Sequence, residues 1–294
     1  MYYQLLFFFL FILSSSVSAQ FLGTGLKYTE PNYGHIFKNN QKEIRFEPNP
    51  QVEVAIQFIG PQYAFGLQFS AEKEEDEEFL ESSYSDFVIS YYSAQMLVDL
   101  FYRDFQDFYV LEDIDELSRS NPETLSGSDI GAEVLFMTEQ NLFEFHGDFV
   151  FNPKTNYDYF YKFGFVHSEI GGDGSLIPDQ YSEDFDQLSA IETLTTDAAM
   201  GQMGVSGLYT FSSFFVNGFI SLGPRLESLL LEGAKKESIV LISPMVEGFA
   251  GISYFNKDLQ IGLRTRIRSF ESTIRDTRYS QTYMAQNIYL LMFF

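Results

Sequence analysis

The sequence predicts an all-β protein, an up-and-down antiparallel β-barrel of about twelve strands that crosses a membrane. Three observations carry this prediction. Apolar residues recur at every second position through most of the chain, short and long connections alternate between the candidate strands, and the chain ends on an apolar, aromatic strand. Period-two alternation is typical of β-strands with one apolar face.

The composition narrows the class of protein. The chain of 294 residues contains no Cys or Trp but 33 Phe and 19 Tyr, and its 18 basic and 41 acidic residues give a net charge of −23. The missing Cys excludes disulfides and cysteine-ligated metals, and the negative charge argues against a nucleic-acid partner. A disordered acidic protein would be poor in aromatic residues. We therefore expect a large ordered structure, and nothing in the composition indicates a cofactor.

The first residues are typical of an export signal. An apolar run over residues 5–13 is followed by small residues, with Val17 and Ala19 suiting cleavage before Gln20. The run is shorter than the ~20 residues that a transmembrane helix needs. The sequence thus predicts a cleaved secretory signal at 1–19, a periplasmic lead at 20–42 and an outer-membrane barrel at 43–294.

Twelve segments with alternating apolar residues follow the signal. They cover residues 43–46, 52–58, 63–69, 87–91, 98–102, 143–151, 157–165, 203–211, 214–222, 240–254, 259–269 and 282–294. A soluble β-sandwich would alternate in the same way.

The connections favour the barrel over the sandwich. Short links, for example at residues 212–213, alternate with longer ones at 70–83, 105–141, 168–200, 223–239 and 271–281. Outer-membrane barrels have this layout, with tight periplasmic turns and longer external loops. If both chain ends are periplasmic, the turn at Gly60 must close the second and third strands. Residues 43–46 then supply the first, and ten strands remain the alternative count.

The last strand carries a further signal. Ile288, Leu290, Met292 and Phe294 share one face, and the chain ends there. Outer-membrane barrels commonly end in this way because the barrel-assembly machinery recognises such a strand. The expected partners are therefore this machinery, outer-membrane lipid and lipopolysaccharide.

Several local motifs add a resemblance. These are residues 46–49 (FEPN), 63–69, 86–110 and 149–153 (FVFNP). In this order they resemble a family of uncharacterised outer-membrane β-barrel proteins of Gram-negative bacteria, known only as a domain of unknown function. The sequence departs from that pattern in residues 72–81 and 171–175 (GGDGS). The resemblance implies location and architecture, and it brings no activity.

Three arginines on one strand form the sharpest cluster. Arg264, Arg266 and Arg268 alternate with aliphatic residues, and a charge facing lipid near the midplane costs ~2–4 kcal/mol, so we expect them to point into the lumen. One interpretation is ion pairing with lumen carboxylates that fills the interior. The other is an anion-selective constriction in an open pore. The candidate carboxylates are Asp99, Glu144, Asp158 and Glu247.

Catalytic and metal sites find less support. His146 lies between Glu144 and Asp148 on one strand face and could act as a base, although a lumen polar residue would look the same. No G-x-S-x-G motif accompanies it, and we predict no catalytic residue. The acid run at residues 72–81 is expected in a solvated external loop that could hold divalent cations between lipopolysaccharide phosphates, but no specific metal site is predicted.

The function that follows is coarse. We expect an outer-membrane barrel of structural or passive-transport type with acidic external loops, leaning away from an enzyme. The alternatives are a barrel enzyme acting on lipids or peptides and a secreted soluble β-protein that binds a glycan or protein. The solute, the state of the lumen and the oligomeric state are not predicted.

Overall fold

The computed structural model describes residues 23–47, 51–59, 63–72, 82–92, 96–110, 124–138, 154–172 and 174–293. Within these residues, thirteen strands form a single sheet. They are β1 (Gly23–Lys38), β2 (Glu43–Glu47), β3 (Gln51–Ile59), β4 (Tyr63–Glu72), β5 (Ser83–Tyr92), β6 (Met96–Val110), β7 (Leu125–Met137), β8 (Asn156–Gly172), β9 (Ile191–Phe211), β10 (Phe214–Gly233), β11 (Glu237–Phe255), β12 (Leu259–Ile274) and β13 (Thr277–Phe293). Among the described residues, no helix is long and apolar enough to cross a membrane.

The sheet closes on itself. β1 pairs antiparallel with β13 from Gly23 opposite Phe293 to Lys38 opposite Arg278. From β3 to β13 each strand pairs antiparallel with the next along the chain. This confirms the predicted up-and-down barrel. We call the end that holds Gly23 and Phe293 the terminal rim and the opposite end the far rim.

β2 and β3 occupy one position in this barrel. β1 pairs with β3 as far as Thr29 opposite Glu53, and with β2 from His35 opposite Phe46. Between these two pairs the sequence from Phe46 to Glu53 is one residue longer than the sequence from Thr29 to His35. The thirteen strands therefore fill twelve positions, in agreement with the predicted strand number.

The barrel narrows towards the far rim. β4 pairs with β5 only from Tyr63 to Leu67. Nearer the far rim, β2 pairs directly with β6, with Phe46 opposite Val110. Without β4 and β5 the ring has 12 − 2 = 10 strands at the far rim.

A predicted lead and a predicted connection need correction. Residues 20–42 were expected to be a periplasmic lead, but they contain β1, and residues 43–46 are only the far part of the second position. The predicted connection 105–141 contains β7, whose alternation is interrupted because Ser126 and Ser128 on its outward face are polar, whereas Leu135 and Met137 on its inward face are apolar. The predicted strand at 143–151 lies outside the described residues.

Two predicted long connections also need correction. β10 continues to Gly233 and β11 begins at Glu237, while β12 and β13 are joined by residues 275–276 alone. The strands extend because their inward side chains are apolar near the far rim, as with the fully buried Leu229 and Leu231. Short and long links therefore do not alternate around the whole barrel.

The two halves of the barrel have opposite polarity. In β8 the outward side chains are aromatic from Tyr157 to Phe165, and then become His167 and Glu169. The inward side chains change in the other direction, from the buried Lys162 to apolar residues nearer the far rim. The terminal half thus has an apolar exterior, whereas the far half has the exterior of a water-soluble barrel.

The segment after β8 closes the far half. Residues 174–190 place five side chains in the same buried apolar cluster as the inward residues of the far half. These are Leu176, Ile177, Tyr181, Phe185 and Leu188. We call residues 174–190 the inserted loop. It begins at Gly174, whose φ of 98° is a conformation that glycine adopts readily.

Polar contacts hold the inserted loop at both sides of the rim. Asn39 Nδ2 donates to the carbonyl oxygen of Asp184 at 2.6 Å, and Lys42 Nζ lies 4.9 Å from the centre of the Tyr181 ring. On the other side, Gln187 Nε2 donates to Asp276 Oδ2 at 2.8 Å.

Candidate functional site

Five charged side chains meet inside the barrel at the level of the apolar exterior. Glu247 of β11 is at the centre: its Oε2 lies 2.5 Å from Lys162 Nζ, and its Oε1 lies 2.5 Å from Arg266 Nη2. Glu133 of β7 contacts Lys162 Nζ at 2.7 Å and Arg268 Nη2 at 2.9 Å. We call these five residues the ionic layer.

The strand register explains why the ionic layer forms. Arg268 lies directly opposite Glu247 on the neighbouring strand. Arg266 and Arg268 are two residues apart on β12 and thus point to the same side of the sheet. Lys162 reaches Glu247 from β8, across the interior. Because Glu247 is fully buried, its charge depends on these three cations.

Arg264 has different neighbours. Its guanidinium lies 4.4 Å from the ring centre of Phe249 and 5.5 Å from that of Tyr289. The three arginines therefore all lie inside, but the structure brings only Arg266 and Arg268 to Glu247. Cation–π contacts of this kind are worth up to ~2 kcal/mol where water is excluded.

The other sequence candidates lie at the edge of the ionic layer, apart from it, or outside the described residues. Asp99 of β6 lies directly opposite Glu133 of β7 and accepts a hydrogen bond from Ser90 Oγ at 2.6 Å. Asp158 of β8 accepts one from Thr138. The candidates outside the described residues are Glu144, His146, Asp148, Phe294 and most of the acid run at 72–81. Ile288 and Met292 face outward, 50% and 45% exposed.

Sequence reasoning missed two members of the ionic layer. Glu133 lay in a stretch predicted to be a connection, so no face could be assigned to it. Lys162 had a usable signal, because it stands between Tyr161 and Phe163 on the polar face of an aromatic strand. A lone inward cation there implies an inward acid on another strand.

A second buried polar group lies in the far half. His35 Nδ1 is 2.9 Å from the Tyr279 hydroxyl, while Tyr33 donates to Asp129 Oδ2 at 3.3 Å. Burial lowers the pKa of His35 to about 4, against an opposing effect of Asp129. Burial also raises the pKa of Tyr279. His35 is therefore neutral at physiological pH.

On the exterior of the described part of the barrel, a histidine pairs with an aspartate. His167 Nδ1 lies 2.8 Å from Asp197 Oδ1, just beyond the outward Phe165. Both side chains are about half exposed, and no described hydrogen bond joins the pair to a hydroxyl nucleophile. In the part of the chain that the structure describes, no three His, Asp or Glu side chains could hold a metal ion together.

The geometry defines a class of protein: a closed, antiparallel up-and-down β-barrel with an apolar exterior in one half and a packed, partly ionic interior. A family model of unknown function, DUF4421, matches residues 20–290. The chain belongs to this family, as its local motifs indicated. No curated protein sequence matches the chain.

Comparison with solved structures finds outer-membrane barrels at low similarity. The protease OmpT from Escherichia coli aligns with a TM-score of 0.42 and 7% identity, over 95% of this chain and 99% of its own. The Pseudomonas putida toluene transporter TodX aligns with a TM-score of 0.31 and 10% identity, over 96% and 91%. Similarity this low carries no conclusion about activity.

Proposed function

We propose that the protein is an outer-membrane barrel of structural type, with its terminal half in the lipid and its far half outside the cell. The supporting observation is the apolar exterior of the terminal half. Large apolar side chains are exposed on every barrel strand whose outward side chains are described there. Examples are Leu26, Tyr91, Leu100, Phe163, Ile220, Ile252 and Leu263.

A soluble β-protein does not fit this exterior. The largest apolar patch on a typical soluble monomer measures about 300–600 Å². A belt that runs around the barrel is far larger, and an outer-membrane barrel has such a belt, ~25 Å tall. The secreted, glycan-binding alternative is therefore disfavoured.

Cell fractionation tests the location. We expect the protein in the outer-membrane fraction, processed before Gln20, with a band that migrates differently on SDS gels before and after boiling. The barrel-assembly machinery would be its assembly partner. Recovery as a soluble protein without heat-modifiable migration would contradict the proposal.

The packed interior favours a structural role over an open pore. The ionic layer crosses the lumen between β7, β8, β11 and β12, and the far half above it is filled by apolar side chains and the inserted loop. A barrel of this size can be plugged by its own side chains. The supporting detail is that Glu133, Lys162 and Glu247 are each at least 95% buried.

Conductance in planar bilayers tests the closed interior. We expect no discrete current steps from the purified protein. Reproducible steps would favour the passive-pore alternative. Arg266, whose side chain is 39% exposed within the lumen, is the residue to change there, since Arg266→Gln should then alter the anion selectivity.

A further inference from the structure

One wall of the barrel keeps an apolar exterior further towards the far rim than its neighbours. On β12 the outward side chains turn polar at Ser269, directly opposite Val246 of β11, and they stay polar at Glu271 and Thr273. On β10 and β11 large apolar side chains continue outward beyond this level. We call three of them the apolar patch: Leu226, Val240 and Ile242.

The apolar patch is highly exposed. Ile242 is 75% and Val240 67% exposed, which makes them the two most exposed aliphatic side chains among the described residues. Leu226 lies directly opposite Ile242 on the neighbouring strand and is also exposed. Contiguous apolar surface with polar neighbours is typical of the centre of a protein interface.

The bilayer does not account for this surface. Hydrocarbon deep enough to cover the patch would also cover Glu271 and Thr273 of β12 on one side and Asp197 of β9 on the other. Neighbouring strands are only ~4.8 Å apart, so the edge of the hydrocarbon cannot rise for two strands alone. Under the proposed function, the patch thus lies outside the hydrocarbon and faces water unless a protein covers it.

We propose that the apolar patch joins two copies of this chain, an inference that rests on the proposed membrane location. The membrane gives every copy the same orientation, so a closed pair is related by a twofold axis along the membrane normal. Such an axis brings a surface against the same surface of the partner at the same depth. Ile242 then packs against Ile242 of the partner subunit, and each patch removes the other from water.

The contact continues into the belt below the patch. Leu222 and Val246 lie directly opposite each other on the same two strands, and both are exposed. A contact four strands wide, over the ~25 Å belt and the patch, covers roughly 700 Å² of each copy. A standard interface covers about 800 Å² of each partner. The belt therefore supplies most of the area, and the patch supplies the part that lipid cannot cover.

Cysteine crosslinking tests the twofold contact. The chain contains no Cys, so a single introduced Cys can form a disulfide only with another copy or another protein. Disulfides need Cα atoms about 4.4–6.8 Å apart, so a residue bridges to its own counterpart only near the axis. We expect Ile242→Cys, oxidised in isolated outer membranes, to give a band of twice the chain mass on boiled, non-reducing gels. Ser128→Cys, outward on β7 in the far half, should give none.

A charged substitution tests whether the patch is needed. In native mass spectrometry of the purified protein in detergent, we expect the unaltered protein to have twice the mass of one chain. Ile242→Lys should give the mass of one chain, because the twofold axis places two lysines together. Ser128→Lys, the matched control, should remain a dimer.

Three results would overturn the inference. The first is equal crosslinking of the two Cys variants, and the second is an Ile242→Lys protein that remains a dimer. The third is a crosslinked band of a different mass from Ile242→Cys, which would assign the patch to another protein.

The failure of this inference can be told apart from failure of the proposed function. Each variant is first examined for heat-modifiable migration on SDS gels. A protein without that behaviour contradicts the membrane barrel itself. A heat-modifiable barrel that does not crosslink through Ile242→Cys contradicts only the twofold contact.

Discussion

Glu247 is the single side chain on which the interior depends most. It contacts three cations and is fully buried, so its removal leaves Lys162, Arg266 and Arg268 with Glu133 as their remaining partner in the ionic layer. We expect Glu247→Gln to lower the free energy of unfolding by about 3–5 kcal/mol. Denaturant unfolding of the refolded protein in detergent, followed by gel migration, measures this.

An exposed acid serves as the control for Glu247. Glu271 lies outward on β12, 3.9 Å from Arg278, and both side chains are more than half exposed. Glu271→Gln should change the unfolding free energy by less than about 1 kcal/mol. Equal effects of the two substitutions would mean that the ionic layer does not hold the barrel together.

His35 makes the stability of the far half dependent on pH. The pKa of His35 is about 4 in the folded protein, whereas it is about 6.5 in the unfolded chain. The unfolded state therefore takes up the proton first, and stability falls as the pH drops from 6.5 to 4, by about 3 kcal/mol. His35→Gln should lack this part of the pH dependence in denaturant titrations at a series of pH values. Parallel curves for the two proteins would contradict the prediction.

At the scale of elements, the apolar side chains of the inserted loop hold it against the far half of the barrel. Phe185 is 2% exposed, and its loss should cost about 3–5 kcal/mol of packing. We expect Phe185→Ala to release residues 174–190 without opening the barrel. A protease that cuts after acidic residues should then cleave at Glu183 or its neighbours, while heat-modifiable migration persists. Gln180→Ala, at an exposed position of the same loop, should leave the loop resistant.

The elements also show what the sequence could predict. Alternation identified β3, β8 and β12 because their outward residues in the terminal half are apolar. It missed the whole of β1, where Glu30 and Asn32 face outward while Tyr33 and Phe37 face inward. When the outward side chains of a strand change from apolar to polar along its length, no single face of the strand is apolar throughout. The period-two pattern is then lost, and the segment is predicted to be a connection.

The candidate site was only partly predictable for a related reason. The inward direction of Arg266 and Arg268 follows from the cost of charge in lipid. Their partners do not follow, because Glu133 and Lys162 reach the ionic layer from strands that are distant in sequence. Which side chains meet across the interior depends on how far the strands are shifted relative to one another around the barrel. This shift cannot be derived from the sequence of a single strand.

At the scale of the whole molecule, the proposed function places the membrane boundary where the polarity of the exterior changes along the barrel. Leu263 and Thr273 lie on the same outward face of β12, ten residues apart, since 273 − 263 = 10. We expect Leu263→Arg to destabilise the barrel in lipid vesicles by about 2–4 kcal/mol, because the charge would meet hydrocarbon. Thr273→Arg should cost about 0–1 kcal/mol. Refolding yields and unfolding midpoints in vesicles measure both, and similar costs would place the boundary elsewhere.

The pairing of the first strand with the last has a consequence for the timing of assembly. Gly23 is bonded to a strand that ends at Phe293, 293 − 23 = 270 residues later, so closure needs nearly the whole chain. Contacts so distant in sequence form slowly. The first strand therefore stays without its closing partner until the final residues of the chain are in place. A cell that makes this protein has to protect two strand edges for that interval.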